Sequence, residues 1–173
     1  MRRRDLVCWG AAACLAPAPA PAWANAPARR LRLYNLHTGE RGDIVFAEGG
    51  RLMPDALAAI NTLLRDHRTG EVHEIDTNLL TLVADLADRI SAAQPFEVIS
   101  GYRSPVTNAA LHAASAGVAS RSLHMQGRAI DLRAPGLAST ALRDAALGLG
   151  RGGVGYYPGP DFVHVDVGRV RAW

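Results

Sequence analysis

Two short stretches hold side chains whose types and spacing could do chemistry. In Ser122-Leu123-His124-Met125-Gln126-Gly127-Arg128-Ala129-Ile130-Asp131, a histidine and an aspartate stand seven residues apart. A turn at Gly127 would bring both to one point, since glycine readily takes positive φ. Alternation along the following strand puts Ala129, Asp131 and Arg133 on one face and Ile130 and Leu132 on the other. In Phe162-Val163-His164-Val165-Asp166-Val167, the same rule sets Phe162, His164 and Asp166 opposite three valines. A valine face belongs in a core, whereas a His/Asp face needs polar partners. If the two strands are neighbours, His124, Asp131 and His164 supply two imidazoles and one carboxylate. That is the ligand set of a catalytic zinc site with a fourth position for water, whose pKa zinc lowers toward about 7. Any one His/Asp pair also reads as ordinary hydrogen-bonded strand residues, and the same donor set with open positions suits iron.

The elements that must position these residues follow from the apolar pattern. Leu31 to Leu36 alternates, Ile44-Val45-Phe46 does so more loosely, and Thr38 to Asp43 between them is turn-like, which predicts a hairpin. Leu57, Ile60, Leu63 and Leu64 behind Pro54 predict a helix over 54–66. Leu79, Leu80, Leu82, Val83, Leu86 and Ile90 predict another over 76–93, with Asp76 as its N-cap. Strands are expected at 96–100, 129–133 and 162–167, and helices at about 106–114 and 138–149. The fold class is α+β, helices first and then a mostly antiparallel sheet.

Four other histidines carry less. His37, His67 and His73 have no neighbour that suggests a site, and His112 falls on a helix face. His73-Glu74 lacks the second histidine of a zinc helix, because position 77 is threonine. Gly152-Gly153-Val154-Gly155 is no phosphate loop, for no Gly-Lys-Ser/Thr follows. It is expected to shape a cleft wall, with Tyr156 and Tyr157 as packing or substrate contacts.

With 173 residues, 49% of them hydrophobic and 20% charged, the chain suits one globular domain, which excludes wholesale disorder and fibrous repeats. Arg2, Arg3 and Arg4 against Asp5 supply two of the three net positive charges, leaving one beyond residue 24. The charge therefore gives no support to a nucleic-acid partner. Residues 1–24 read as a signal peptide: a basic start, an apolar stretch from Leu6 to Ala16, and Ala22-Trp23-Ala24 as a cleavage site. Arg3-Arg4-Asp5-Leu6-Val7 resembles the twin-arginine pattern. Pro17, Pro19 and Pro21 break an apolar run already shorter than the roughly 20 residues of a membrane span. Residues 25–30 form a lead-in and 31–173 the domain, expected to be monomeric and exported to the periplasm. Both cysteines, Cys8 and Cys14, lie in the leader, so the domain must be held by its core or a metal.

Ser100-Gly101-Tyr102-Arg103-Ser104, Ser122-x-His124 with Asp131 seven later, Gly153 to Pro158 and Phe162 to Asp166 follow Leu33 to Glu40 in fixed order. Together these blocks resemble the DUF882 branch of the M15 metallopeptidase superfamily of D-Ala-D-Ala carboxypeptidases and murein endopeptidases. The resemblance runs from about Leu31 to Trp173 and implies an M15/Hedgehog-like fold with Zn2+ as cofactor. It implies His124, Asp131 and His164 as zinc ligands and Arg103 as the arginine that holds a substrate carboxylate or carbonyl oxygen. It makes Asp161, three before His164, the general base, where many members have glutamate. Alternation puts Asp166 on the face of His164, as partner to a histidine. Ser122 and Tyr102 are candidates to orient a ligand or touch substrate. The expected function is hydrolysis of amide bonds in peptidoglycan peptides. A carboxypeptidase trimming terminal D-alanine and a zinc-containing module that binds cell-wall peptides without cutting them are the alternatives.

Overall fold

The computed structural model describes residues 26–115 and 117–173; the signal peptide expected over 1–24 lies outside them. Eight strands form one sheet: β1 (Arg29–Asn35), β2 (Arg41–Glu48), β3 (Arg51–Leu52), β4 (Phe96–Ser100), β5 (Ala129–Arg133), β6 (Gly153–Tyr157), β7 (Phe162–Asp166) and β8 (Arg171–Ala172). Their order is β3-β2-β1-β4-β5-β7-β6-β8. Only β1·β4 and β6·β8 pair in parallel, so the sheet is mostly antiparallel, as the α+β reading expects. It does not follow the helices, however. The hairpin β1–β2 precedes them and joins the same sheet through β4.

Helices α1 (Pro54–Leu63), α2 (Thr77–Arg89) and α4 (Ser139–Leu147) contact β2, β1 and β6/β7 respectively. Their apolar stripes, with Ile60, Leu79, Leu82, Leu86 and Leu142 all buried, make one core with Leu31, Leu33, Val98, Ile130, Leu132, Val163 and Val165. Each such side chain contributes about 1.5–3 kcal/mol by leaving water. The valine face of β7 is thus in the core, and His164 and Asp131 point away from it. Asp76 caps α2 as expected, its side chain accepting from Asn78 N–H at 2.9 Å.

The helices are shorter than their apolar patterns. After α1 the chain turns at Asp66, a buried carboxylate that accepts from the Ser104 amide (2.8 Å), the Ser104 hydroxyl (2.7 Å) and the Arg68 amide (2.9 Å). Ser104 in turn caps α3 (Pro105–Ala114), accepting from Thr107 N–H. Burial alone would raise the Asp66 pKa, but hydrogen bonds from Thr107 and Ser104 outweigh it and hold the carboxyl well below the usual range. The folded state therefore favours the carboxylate. Its stabilisation is complete above the ordinary aspartate value of about 3.9 and is lost as pH falls below it. Asp66→Ala strands the Ser104 donors and is expected to cost about 3 kcal/mol in urea unfolding at pH 7. The variant's deficit should shrink in acid, where the wild type protonates too.

Candidate metal centre

The site begins as a row across the sheet. Ser100 of β4 stands opposite Asp131 of β5, Asp131 opposite His164 of β7, and His164 opposite Gly155 of β6. Direct pairing places the Asp131 carboxylate and the His164 ring side by side, with Oδ1 2.8 Å from Nδ1. His124 arrives from outside the sheet, on the 3-10 turn Leu123–Gln126. Ser122 caps that turn, and Gly127 ends it at φ 62°. His124 Nε2 lies 3.2 Å from both His164 Nδ1 and Asp131 Oδ1.

The outer nitrogens of both rings are engaged, and that decides what the inner ones can do. His124 Nδ1–H donates to the Gly101 carbonyl at 2.7 Å, and His164 Nε2–H donates to Asp166 Oδ2 at 3.1 Å. In neutral rings so oriented, His124 Nε2 and His164 Nδ1 carry lone pairs that converge with a carboxylate oxygen. The three ligand atoms lie within 4.8 Å of one another, all from buried residues. Three electron-pair donors converging on one point could hold a metal ion, and outer hydrogen bonds of this kind orient metal-binding histidines. The donor set suits zinc.

Electrostatics follow the same geometry. Burial lowers the His124 pKa against the pull of Asp131 and favours the neutral ring that a metal needs. Burial alone would raise the Asp131 carboxyl, but its contacts with His124 and His164 outweigh that and hold it well below the usual carboxylate range. Arg103 adds a contact: Nη2 donates to Asp131 Oδ2, and Nε donates to Ser100 Oγ at 2.8 Å.

Arg103 is fixed by the loop after β4. Its amide donates to the His124 carbonyl (3.2 Å), and the Tyr102 amide donates to the Leu64 carbonyl (2.8 Å). Tyr102 itself turns away from the cluster, bonding Glu71 at 2.6 Å and stacking on His73. Asp166 is fully buried behind His164. It also accepts from Gly153 N–H (3.0 Å), Gly168 N–H (2.7 Å) and both terminal nitrogens of Arg171 (2.6 and 3.1 Å).

Asp161 is not brought to the group. It sits in the exposed turn between β6 and β7 at φ 54°. Its carboxylate accepts from Ser139 Oγ at 2.6 Å and faces Arg133 Nε at 3.4 Å. The left-handed backbone takes Asp161 off the strand, and the pull of Arg133 and Ser139 holds it on the outside. Around the donor group is a cleft of about 410 Å3, lined by Arg103, Arg121, Ser122, Phe162 and Trp173 among others. Trp173, Arg171 and the Gly101 carbonyl also stand at the site. Only tertiary pairing brings them in, and no spacing announces it.

Comparison with known proteins gives the chain's family. A family model described as peptidoglycan L,D-endopeptidase MepK matches residues 23–173. The chain is 41% identical to the peptidoglycan L,D-endopeptidase MepK of Escherichia coli strain K12, over 99% of this chain and 96% of that protein. It is also 41% identical to the probable peptidoglycan L,D-endopeptidase MepK of Haemophilus influenzae, over 84% of this chain and 78% of that one. With nearly its whole length matched, the chain belongs to the M15-type peptidase family described as peptidoglycan L,D-endopeptidase MepK.

Proposed function

We propose that this protein is an exported, zinc-dependent endopeptidase that hydrolyses amide bonds in the cross-linked stem peptides of peptidoglycan, the L,D type being the first candidate. The observation that carries the reading is the convergence of His124 Nε2, His164 Nδ1 and the Asp131 carboxylate beside Arg103 in an open cleft. The relatives' names supply the substrate class. No helix among the described residues is long and apolar enough to cross a membrane.

In this reading His124, Asp131 and His164 hold the ion. When bound, zinc supplies Lewis acidity that polarises a carbonyl and makes water acidic. The residues around it do the rest. Arg103 spends Nε on Ser100 and Nη2 on Asp131, which leaves N–H groups to receive a substrate carbonyl or carboxylate oxygen. Because both anchors are fixed, the guanidinium is already oriented before substrate arrives. Asp166 holds His164 in the tautomer that points Nδ1 inward. Ser122 shapes the turn that carries His124.

Asp161, tied to Ser139 and Arg133, is outside this machinery. Asp161→Asn is expected to keep kcat/KM within about threefold of wild type; a loss of a hundredfold would put its carboxylate in the reaction. The same position outside the cleft is the one observation in favour of a module that binds cell-wall peptides without cutting them.

Digestion of purified peptidoglycan by the zinc-loaded protein, with products identified by mass spectrometry, separates these readings. Loss of cross-linked dimers supports the endopeptidase, and release of terminal alanine alone selects a carboxypeptidase. No product from protein holding one zinc per chain leaves the binding module.

A further inference from the structure

Trp173 has no role in the metal centre, yet the fold fixes it beside the centre with unusual care. Its backbone continues the β6·β8 pairing: the Trp173 amide donates to the Val154 carbonyl at 3.2 Å, and the Tyr156 amide donates to the Trp173 carbonyl at 2.9 Å. The indole lies over Gly155, the residue directly opposite His164. A side chain at 155 would put its Cβ 2.6 Å from indole Cε2 and 2.7 Å from Cζ2, so glycine is what lets the ring in. Nε1–H donates to Tyr157 Oη at 2.9 Å, and Tyr157 stacks on Phe162 at 4.6 Å. The Arg171 guanidinium, itself held by Asp166, lies 4.8 Å from the ring centre. The His164 ring is 5.2 Å away.

Despite these constraints, Trp173 is 50% exposed, and it lines the cleft. A large aromatic held rigid but left half in water forfeits part of the stabilisation its burial would give. Burial would be regained when a ligand covers it. Tryptophans held on the wall of a binding pocket are where binding energy concentrates.

We propose that Trp173 is a specificity-determining residue for the substrate peptide. Its exposed surface is a platform for the aliphatic side chain and amide planes of the residue beside the scissile bond, while Gly155 and Tyr157 keep the platform level with His164. This rests on the peptidase reading for the identity of the ligand, and the test separates the two. Trp9 and Trp23 are the only other tryptophans, so the full chain carrying Trp9→Phe and Trp23→Phe reports Trp173 alone by fluorescence. The probe is a purified cross-linked muropeptide dimer.

Saturable quenching or a blue shift of the indole emission on adding the dimer is expected, whether or not turnover occurs. In kinetics, Trp173→Ala should raise KM about tenfold or more with kcat changed less, zinc content unaltered, and Trp173→Phe should recover most of the loss. Gly155→Ala, which keeps the indole but displaces it, should raise KM as well. A dimer that leaves the emission unchanged overturns the proposal, as does a Trp173→Ala variant with wild-type KM. A loss that tracks zinc occupancy also overturns it, for the ring would then act only on His164. Absence of cleavage by the zinc-loaded wild type, with quenching intact, would refute the peptidase reading and leave the platform standing.

Discussion

Replacing Asp131 with alanine is expected to remove stoichiometric zinc and to lower peptidoglycan cleavage by at least about a thousandfold. Asp131 is the only carboxylate among the three converging ligands, and it is the one that both histidines and Arg103 meet. Without it, two neutral imidazoles and a guanidinium face the same point, a poor place for a divalent cation. Arg103 also loses the anchor of Nη2 and with it the orientation toward substrate. The fold should persist: Ile130 and Leu132 on the core face are untouched, and the backbone pairing of β5 with β4 and β7 does not need the side chain. Circular dichroism should thus stay native while metal analysis reads near zero. A variant that retained one zinc per chain and cleaved at wild-type rate would remove Asp131 from the centre.

Gly127→Ala should damage both stability and site, by about 3 kcal/mol or more, through a single atom. Gly127 holds φ 62°, where an L side chain is strained, and a Cβ there would stand 2.1 Å from the Glu74 carbonyl oxygen. Neither side yields easily. The Gly127 carbonyl accepts from the Asp76 amide at 2.9 Å, and Asp76 caps α2. Relief must come from opening the turn that carries His124, so thermal midpoint and zinc affinity should fall together. A melt unchanged within a degree, with zinc affinity intact, would show that this turn tolerates what its geometry forbids.

The same turn shows how far the sequence could be read. Seven residues from His124 to Asp131, with glycine between, imply that both side chains meet, and alternation on 129–133 and 162–167 implies that Asp131 and His164 leave the core face together. The register that sets them directly opposite is consistent with those patterns. Asp166 behind His164 follows from alternation as well. Asp161 does not, because nothing in Gly159-Pro160-Asp161 announces a left-handed residue, and the contacts that hold it come from α4 and β5, distant in sequence. β6 was hidden for another reason. Gly153-Val154-Gly155 has weak strand propensity, and its glycines serve tertiary approach: Gly153 sits against Asp166 and Arg171, and Gly155 under Trp173. The two-residue strands β3 and β8 are too short for any period to register. The parallel pairing of β1 with β4 spans two intervening helices, which left the hairpin without a visible place in the sheet.

One metal centre, built from His124, Asp131 and His164, is expected to serve the cleft. Crystals grown from the zinc-loaded protein, with anomalous diffraction measured on both sides of the zinc edge, test it most directly. A single strong anomalous peak is expected within about 2.0–2.2 Å of His124 Nε2, His164 Nδ1 and an Asp131 oxygen, with Gly101 and Asp166 still on the outer nitrogens. Bound zinc elsewhere, or none at this point while the protein still cleaves peptidoglycan, would contradict it.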